Sequence, residues 1–158
     1  IDAIRKNQFA RIVRVGKLTL AVLEATLKLF LDEAVALAEV PTLQMLQRTA
    51  DEIKAHAEKL AAELSERVTG AKVDTMPGFS QMGSGSLPTQ NLATTLVTVE
   101  PKEMGAETLA KRMRLGEMPI FVRVRNDQVI LDPRTLRDGD DAIIVAAVTD
   151  ILNLGESA

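Results

Sequence analysis

The chain contains no cysteine and a single histidine. Without thiols there are no disulfides, no thiolate catalysis and no zinc–sulfur site, a pattern that fits a cytosolic protein. The lone His56 sits in the charged run EIKAHAEK, where it reads as a solvated helical residue with no metal set around it and no role. Long apolar runs are missing as well. None reaches the roughly 18 residues of a membrane span, because Glu24, Lys28 and Asp32 interrupt the longest one. No signal peptide is visible, nor any internal repeat or low-complexity tract. A Walker loop and a dinucleotide fingerprint are both absent, since the glycine-rich stretch GSGSLP at 83–88 is not followed by a helix start in the right place. Basic excess is lacking too: 19 Lys and Arg against 22 Asp and Glu give a net charge of −3. That balance excludes a broad nucleic-acid surface.

What remains is ordinary globular composition, 46% hydrophobic and 26% charged over 158 residues. Such a length suits one or two small units and buries roughly 68–70% of its unfolded surface. The first residue is Ile1, not methionine, and helix is already under way; the chain reads as a fragment of something longer.

The first 35 residues organise the rest. A basic segment carries Arg5, Lys6, Arg11, Arg14 and Lys17, with no acid between Asp2 and Glu24. Residues 2–14 read as short helical pieces broken around Asn7. A long helix is expected over 17–38, with Leu18, Val22, Ala25 and Leu29 on one line and Leu20, Leu23, Leu27 and Phe30 on another. That face is broader than a surface helix needs. The helix stops before Pro41, and Thr42–Gln47 forms a short one. Asp51–Val68 is amphipathic, with Ile53, Ala57, Leu60, Ala61 and Leu64 inward and Gly70 as its end.

After Gly70 the period changes. Ala71–Met76 and Leu92–Val99 read as strands around a loop from Gly78 to Thr89. Glu103–Leu115 is a helix, Ile120–Val124 and Gln128–Leu131 a hairpin across Asn126-Asp127, and Asp140–Leu154 a last helix capped by Asp140 or Asp141. The order predicts an α+β fold: a small, mostly antiparallel sheet covered by helices on one face.

Three places could carry chemistry. In a helical turn, the spacing of three would set Arg11 and Arg14 on one face, able to grip one anion; by spacing alone they read more readily as solvated arginines at a helix start. Arg123, on the short strand IFVRV, would need an anionic partner if it points inward, and would be an ordinary surface arginine if it points outward. The Gly83–Pro88 loop could approach an oxyanion or merely connect two strands. Asp132 and Arg134, in DPRTL, read as fixing a turn through mutual hydrogen bonding.

Four stretches, RIVRVGKLTLAVLEATL at 11–27, VPTLQML at 40–46, GSGSLP at 83–88 and ILDPRTL at 130–136, stand in register with one family. Together they resemble the C-terminal third of bacterial selenocysteine synthases, the L-seryl-tRNA(Sec) selenium transferases, which are fold-type I pyridoxal-phosphate enzymes. The resemblance implies a division into 1–38, a basic segment and linking helix from a large domain, and 39–158, an α+β small domain. It implies that Arg11 and Arg14 hold the selenium donor, selenophosphate, and makes Arg123 a candidate substrate contact. It implies, for the parent, pyridoxal 5′-phosphate as cofactor, seryl-tRNA(Sec) as substrate, a cytoplasmic site of action and dimers assembled into a ring-shaped decamer. The lysine that would carry the cofactor lies, in that family, before this chain starts; the fragment should be inert alone. Family members usually carry Asp where this chain has Gly16. Two other readings remain open: the small domain of a related lyase acting on a small amino acid, and an assembly module working through its apolar helix.

Overall fold

The chain divides into two compact units, Ile1–Gln47 and Arg48–Ala158. In the computed structural model, residues 1–81 and 91–153 are described. The expected Gly83–Pro88 loop lies outside the described residues.

In the first unit α1 (Asp2–Lys6) and a 3-10 turn (Gln8–Arg11) are separated at Asn7, whose side chain accepts from the Phe9 amide. The expected single helix over 17–38 is two helices, α2 (Lys17–Leu29) and α3 (Glu33–Glu39). Asp32 makes the break. Its extended backbone leaves the helical path, and its carboxylate accepts from the amides of Ala34 (2.9 Å) and Val35 (3.2 Å). Local capping thus outcompetes continuation. Helix α4 (Pro41–Gln47) starts at a proline, which has no amide to leave unsatisfied at a first helical position. It packs on α3.

The second unit is an antiparallel four-stranded sheet in the order β1-β2-β4-β3, built from β1 (Ala71–Ser80), β2 (Leu92–Pro101), β3 (Arg123–Arg125) and β4 (Gln128–Leu131). Helices α5 (Ala50–Arg67) and α6 (Ala106–Leu115) lie on it, and α7 (Asp140–Asn153) packs against both. The architecture is α+β, as the strand and helix periods predicted. Register Val99 to Val129 and Val97 to Leu131 sets these four side chains on the helix-covered face. There they join Leu60, Leu64, Leu109, Met113, Val145 and Val148 in one apolar core.

Several boundaries differ from expectation, each for a local reason. β1 runs on through Pro77 and Gly78 to Ser80. It is an edge strand, where a missing amide is tolerated, and Leu96 lies over Gly78 so closely that a Cβ there would sit 2.6 Å from Leu96 Cδ1. Strand β3 starts at Arg123 rather than Ile120, because the Ile120 amide donates to the Met113 carbonyl (3.0 Å) and closes the end of α6. Helix α6 starts at Ala106, not Glu103; Gly105 is extended and the Ala106 amide is capped by Asp127 Oδ1 at 3.0 Å. Asp140 is the first residue of α7 rather than its cap, and Leu154 is outside the described residues.

Candidate functional site

The basic segment offers two arginines on backbone that is helical only in part. Arg11 closes the 3-10 turn; residues 12 and 13 turn, and 14–16 carry no regular secondary structure before α2 begins. The i, i+3 argument for a shared helical face therefore does not hold as drawn. Arg14 is exposed, with no ion pair or hydrogen bond to the described residues. Gly16 is the N-cap of α2, extended (φ −68°, ψ 158°), makes no side-chain cap bond and has open space where a Cβ would stand. An aspartate in that position could accept from the first amides of α2; glycine leaves them to solvent.

The second candidate is built around Asp132, at the end of β4. Ser80 Oγ donates to its Oδ2 at 2.7 Å and Thr94 Oγ1 to its Oδ1 at 2.9 Å. The Arg134 amide donates to Oδ1 at 3.2 Å, capping a 3-10 turn over Pro133–Thr135. Ser80 and Thr94 are both buried. Arg123, by contrast, has a side chain 62% exposed, its Nη2 only 4.0 Å from Asp132 Oδ2. It is mostly exposed, the orientation in which it reads as an ordinary surface arginine, with one carboxylate at the edge of ion-pair range.

Asp132 and Arg134 do fix a turn, but not through their side chains meeting. The buried Arg134 guanidinium donates to the carbonyls of Arg48 (2.7 Å) and Ala93 (2.8 Å), joining the start of α5 to β2. Its role is to satisfy backbone carbonyls, which a buried fork of donors does well.

His56 is not the solvated residue expected. Its Nδ1 is 2.7 Å from Arg48 Nη2, and its Nε2 is 2.8 Å from both carboxylate oxygens of Asp141. A guanidinium only donates, so Nδ1 accepts and Nε2–H donates to Asp141. With a side chain 19% exposed, the imidazole bridges α7 and the segment that opens α5. Both ring nitrogens are thereby occupied, and the group holds structure rather than offering chemistry.

A pyridoxal-phosphate site needs a lysine held against the cofactor and an acid for its pyridine nitrogen. Every lysine here is exposed, and those with partners hold surface groups: Lys28 with Glu24, Lys54 with Glu58, Lys102 with the Thr69 carbonyl. The residues present do not fit that group. Among the described residues, no helix is long and apolar enough to cross a membrane.

The sequence profile described as L-seryl-tRNA selenium transferase matches residues 1–137, which include the basic segment and the Asp132 turn. The chain belongs to this selenium transferase family. The L-seryl-tRNA(Sec) selenium transferase of Desulfomicrobium baculatum is 42% identical over 153 residues, covering 96% of this chain and 33% of that protein. The enzyme of the same name from Nitratidesulfovibrio vulgaris is 43% identical over 155 residues, covering 98% of this chain and 33% of its own length. The chain thus spans about a third of these selenium transferases. Among solved structures, D-glucosaminate-6-phosphate ammonia-lyase covers 68% of this chain at 22% identity, with a TM-score of 0.45; at that distance it adds nothing to the assignment.

Proposed function

We propose that this chain is the C-terminal part of a pyridoxal-phosphate-dependent enzyme converting seryl-tRNA(Sec) to selenocysteinyl-tRNA(Sec) with selenophosphate. The observation that carries the reading is the family match through residues 1–137, in which the Arg11–Arg14 segment and α2 are included. The cofactor belongs to the part of the enzyme outside this chain, because no lysine here is placed to hold it. The fold-type I small-domain assignment, the linking role of 1–38, the decameric ring and the cytoplasmic location belong to the same reading.

In it, Arg11 and Arg14 bind the donor. Selenophosphate is a compact polyanion, and two guanidinium groups supply several charge-assisted donors to its oxygens while leaving selenium free to transfer. That Arg14 is exposed, with no partner among the described residues, supports this. Arg123 is the candidate contact to the aminoacyl end of the tRNA, since it is the exposed arginine at the Asp132 turn.

The test uses the full-length enzyme with Arg11→Ala, Arg14→Ala and Arg123→Ala. Losing one charge-assisted contact costs about 1.5–3 kcal/mol, or roughly 10- to 100-fold in donor requirement. Arg11→Ala and Arg14→Ala should raise the selenophosphate concentration needed for half-maximal selenocysteinyl-tRNA formation by that factor, with cofactor and tRNA still bound. Arg123→Ala should leave it unchanged and raise the seryl-tRNA requirement instead. Unchanged donor dependence in the first two variants would return both arginines to the solvated surface.

A further inference from the structure

The outermost strands of a sheet carry backbone groups with no partner, and such edges recruit further strands unless something prevents it. Here the outermost strands are β3 and β1. β3 has three residues, two of them Arg123 and Arg125, and is too short and too charged to act as a template. β1 is ten residues long, and among the described residues it has a sheet neighbour on one side only. Strands of that length pair readily.

One contact fixes the backbone direction along β1. Asp74 stands opposite Thr98, and its carbonyl accepts from the Thr98 hydroxyl at 3.3 Å, so Asp74 turns its backbone groups toward β2. Alternation along an antiparallel strand then turns those of Val73, Thr75, Pro77 and Phe79 to the outer edge. The two central positions of this set offer no donor. The Thr75 amide donates to Asp74 Oδ1 at 2.8 Å, and Pro77 has no amide to give. Val73 and Phe79, the outward donors that remain, are about 20 Å apart at the usual strand rise. A strand laid along this edge would leave two of its carbonyls without a donor, one of them facing a carboxylate. We propose that Asp74 and Pro77 together close the β1 edge, and that without them two copies of this chain pair through β1 into one continuous sheet.

The test uses the 158-residue chain with Asp74→Ala and Pro77→Thr, singly and together, in sedimentation runs over a concentration series. Each restored donor should tighten association about 10-fold. The double variant should therefore associate at concentrations roughly 100-fold below any at which the unsubstituted chain does, with the single variants between. Comparison with the unsubstituted chain removes any association through other surfaces. Thr75→Pro, added to the double variant, takes one outward donor away again without touching the ladder to β2, and should undo about 10-fold of the gain. Association unchanged by Thr75→Pro would mean that the copies meet elsewhere, and a double variant no more associated than the unsubstituted chain would mean that the edge is not held closed by these residues; either result overturns the proposal. Amide exchange in the unsubstituted chain needs no replacement. The amides of Lys72 and Met76, directed to β2, should exchange slowly and those of Val73 and Phe79 fast; slow exchange in both sets would show an edge already paired and would overturn the idea. In the double variant the Val73 and Phe79 amides should slow as concentration rises. No readout here involves selenium transfer, so this proposal and the selenium reading fail separately.

Discussion

Asp132 holds two buried hydroxyls that have few other places to turn. Replacing it with alanine strands Ser80 Oγ and Thr94 Oγ1, and buried unpaired polar groups cost about 1–3 kcal/mol. Asp132→Ala should therefore lower the stability of the chain by that amount in urea unfolding. Thr94→Val should cost less in the Asp132→Ala background than alone, and strict additivity would show that the carboxylate is not their shared acceptor. The Arg123 approach contributes nothing to this figure, being exposed and at 4.0 Å. Glu52 gives a pH-dependent counterpart. Hydrogen bonds from the Thr49 amide and hydroxyl hold its carboxyl below the ordinary value of 4.5. A folded pKa below the unfolded one means stability present above the unfolded value and lost as pH falls through the folded one. The deficit of Glu52→Ala should accordingly be constant from neutral pH down to that range and close on further acidification, as read from denaturation midpoints in a pH series. This capping box was not read from the sequence, although Thr49 and Glu52 have the required spacing. His56 was less accessible still: its carboxylate partner lies 85 residues away in sequence, and no local pattern announces such a contact.

At the scale of elements, the periodic signals were the readable ones. The inward line of α5, Ile53, Ala57, Leu60, Ala61 and Leu64, is buried as its spacing required. The Asn126-Asp127 pair forms the hairpin turn, with φ of 52° and 56°, the left-handed values a two-residue turn between twisted strands demands. What periodicity could not show is that Asp127 also caps α6 across the fold, or that Asp32 stops α2 in mid-pattern. The apolar lines of α2 and α3 look continuous because hydrophobic spacing ignores a single capping side chain. The double duty of Asp127 can be separated experimentally. Asp127→Gly loses the cap but accepts the positive φ, whereas Asp127→Ala loses the cap and strains the turn. Both should be destabilised by about 1 kcal/mol for the cap, with alanine worse by about 1 kcal/mol more. Equal losses in thermal unfolding would mean that the turn relaxes away from its left-handed conformation.

For the whole molecule, the distribution of buried side chains says which part folds on its own account. Every member of the apolar core lies between Ala57 and Leu152, and the polar ties around it, Arg48–His56–Asp141 and Ser80–Asp132–Thr94, also fall in the second unit. The helices of the first unit contribute a single buried residue, Ala36. Isolated helices as short as the 13 residues of α2 are marginal in water without tertiary packing. The family resemblance carried in the four motifs pointed to a division near residue 38, whereas the contacts divide the chain after Gln47, because α4 packs on α3. A chain starting at Arg48, acetylated so that no new charge stands beside that guanidinium, should then retain the cooperative unfolding transition of the full 158 residues. Its stability should agree within about 0.5 kcal/mol, the range of changes remote from any core, while helical circular dichroism falls by the share due to residues 1–47. A loss of several kcal/mol would mean that the first unit helps hold the sheet.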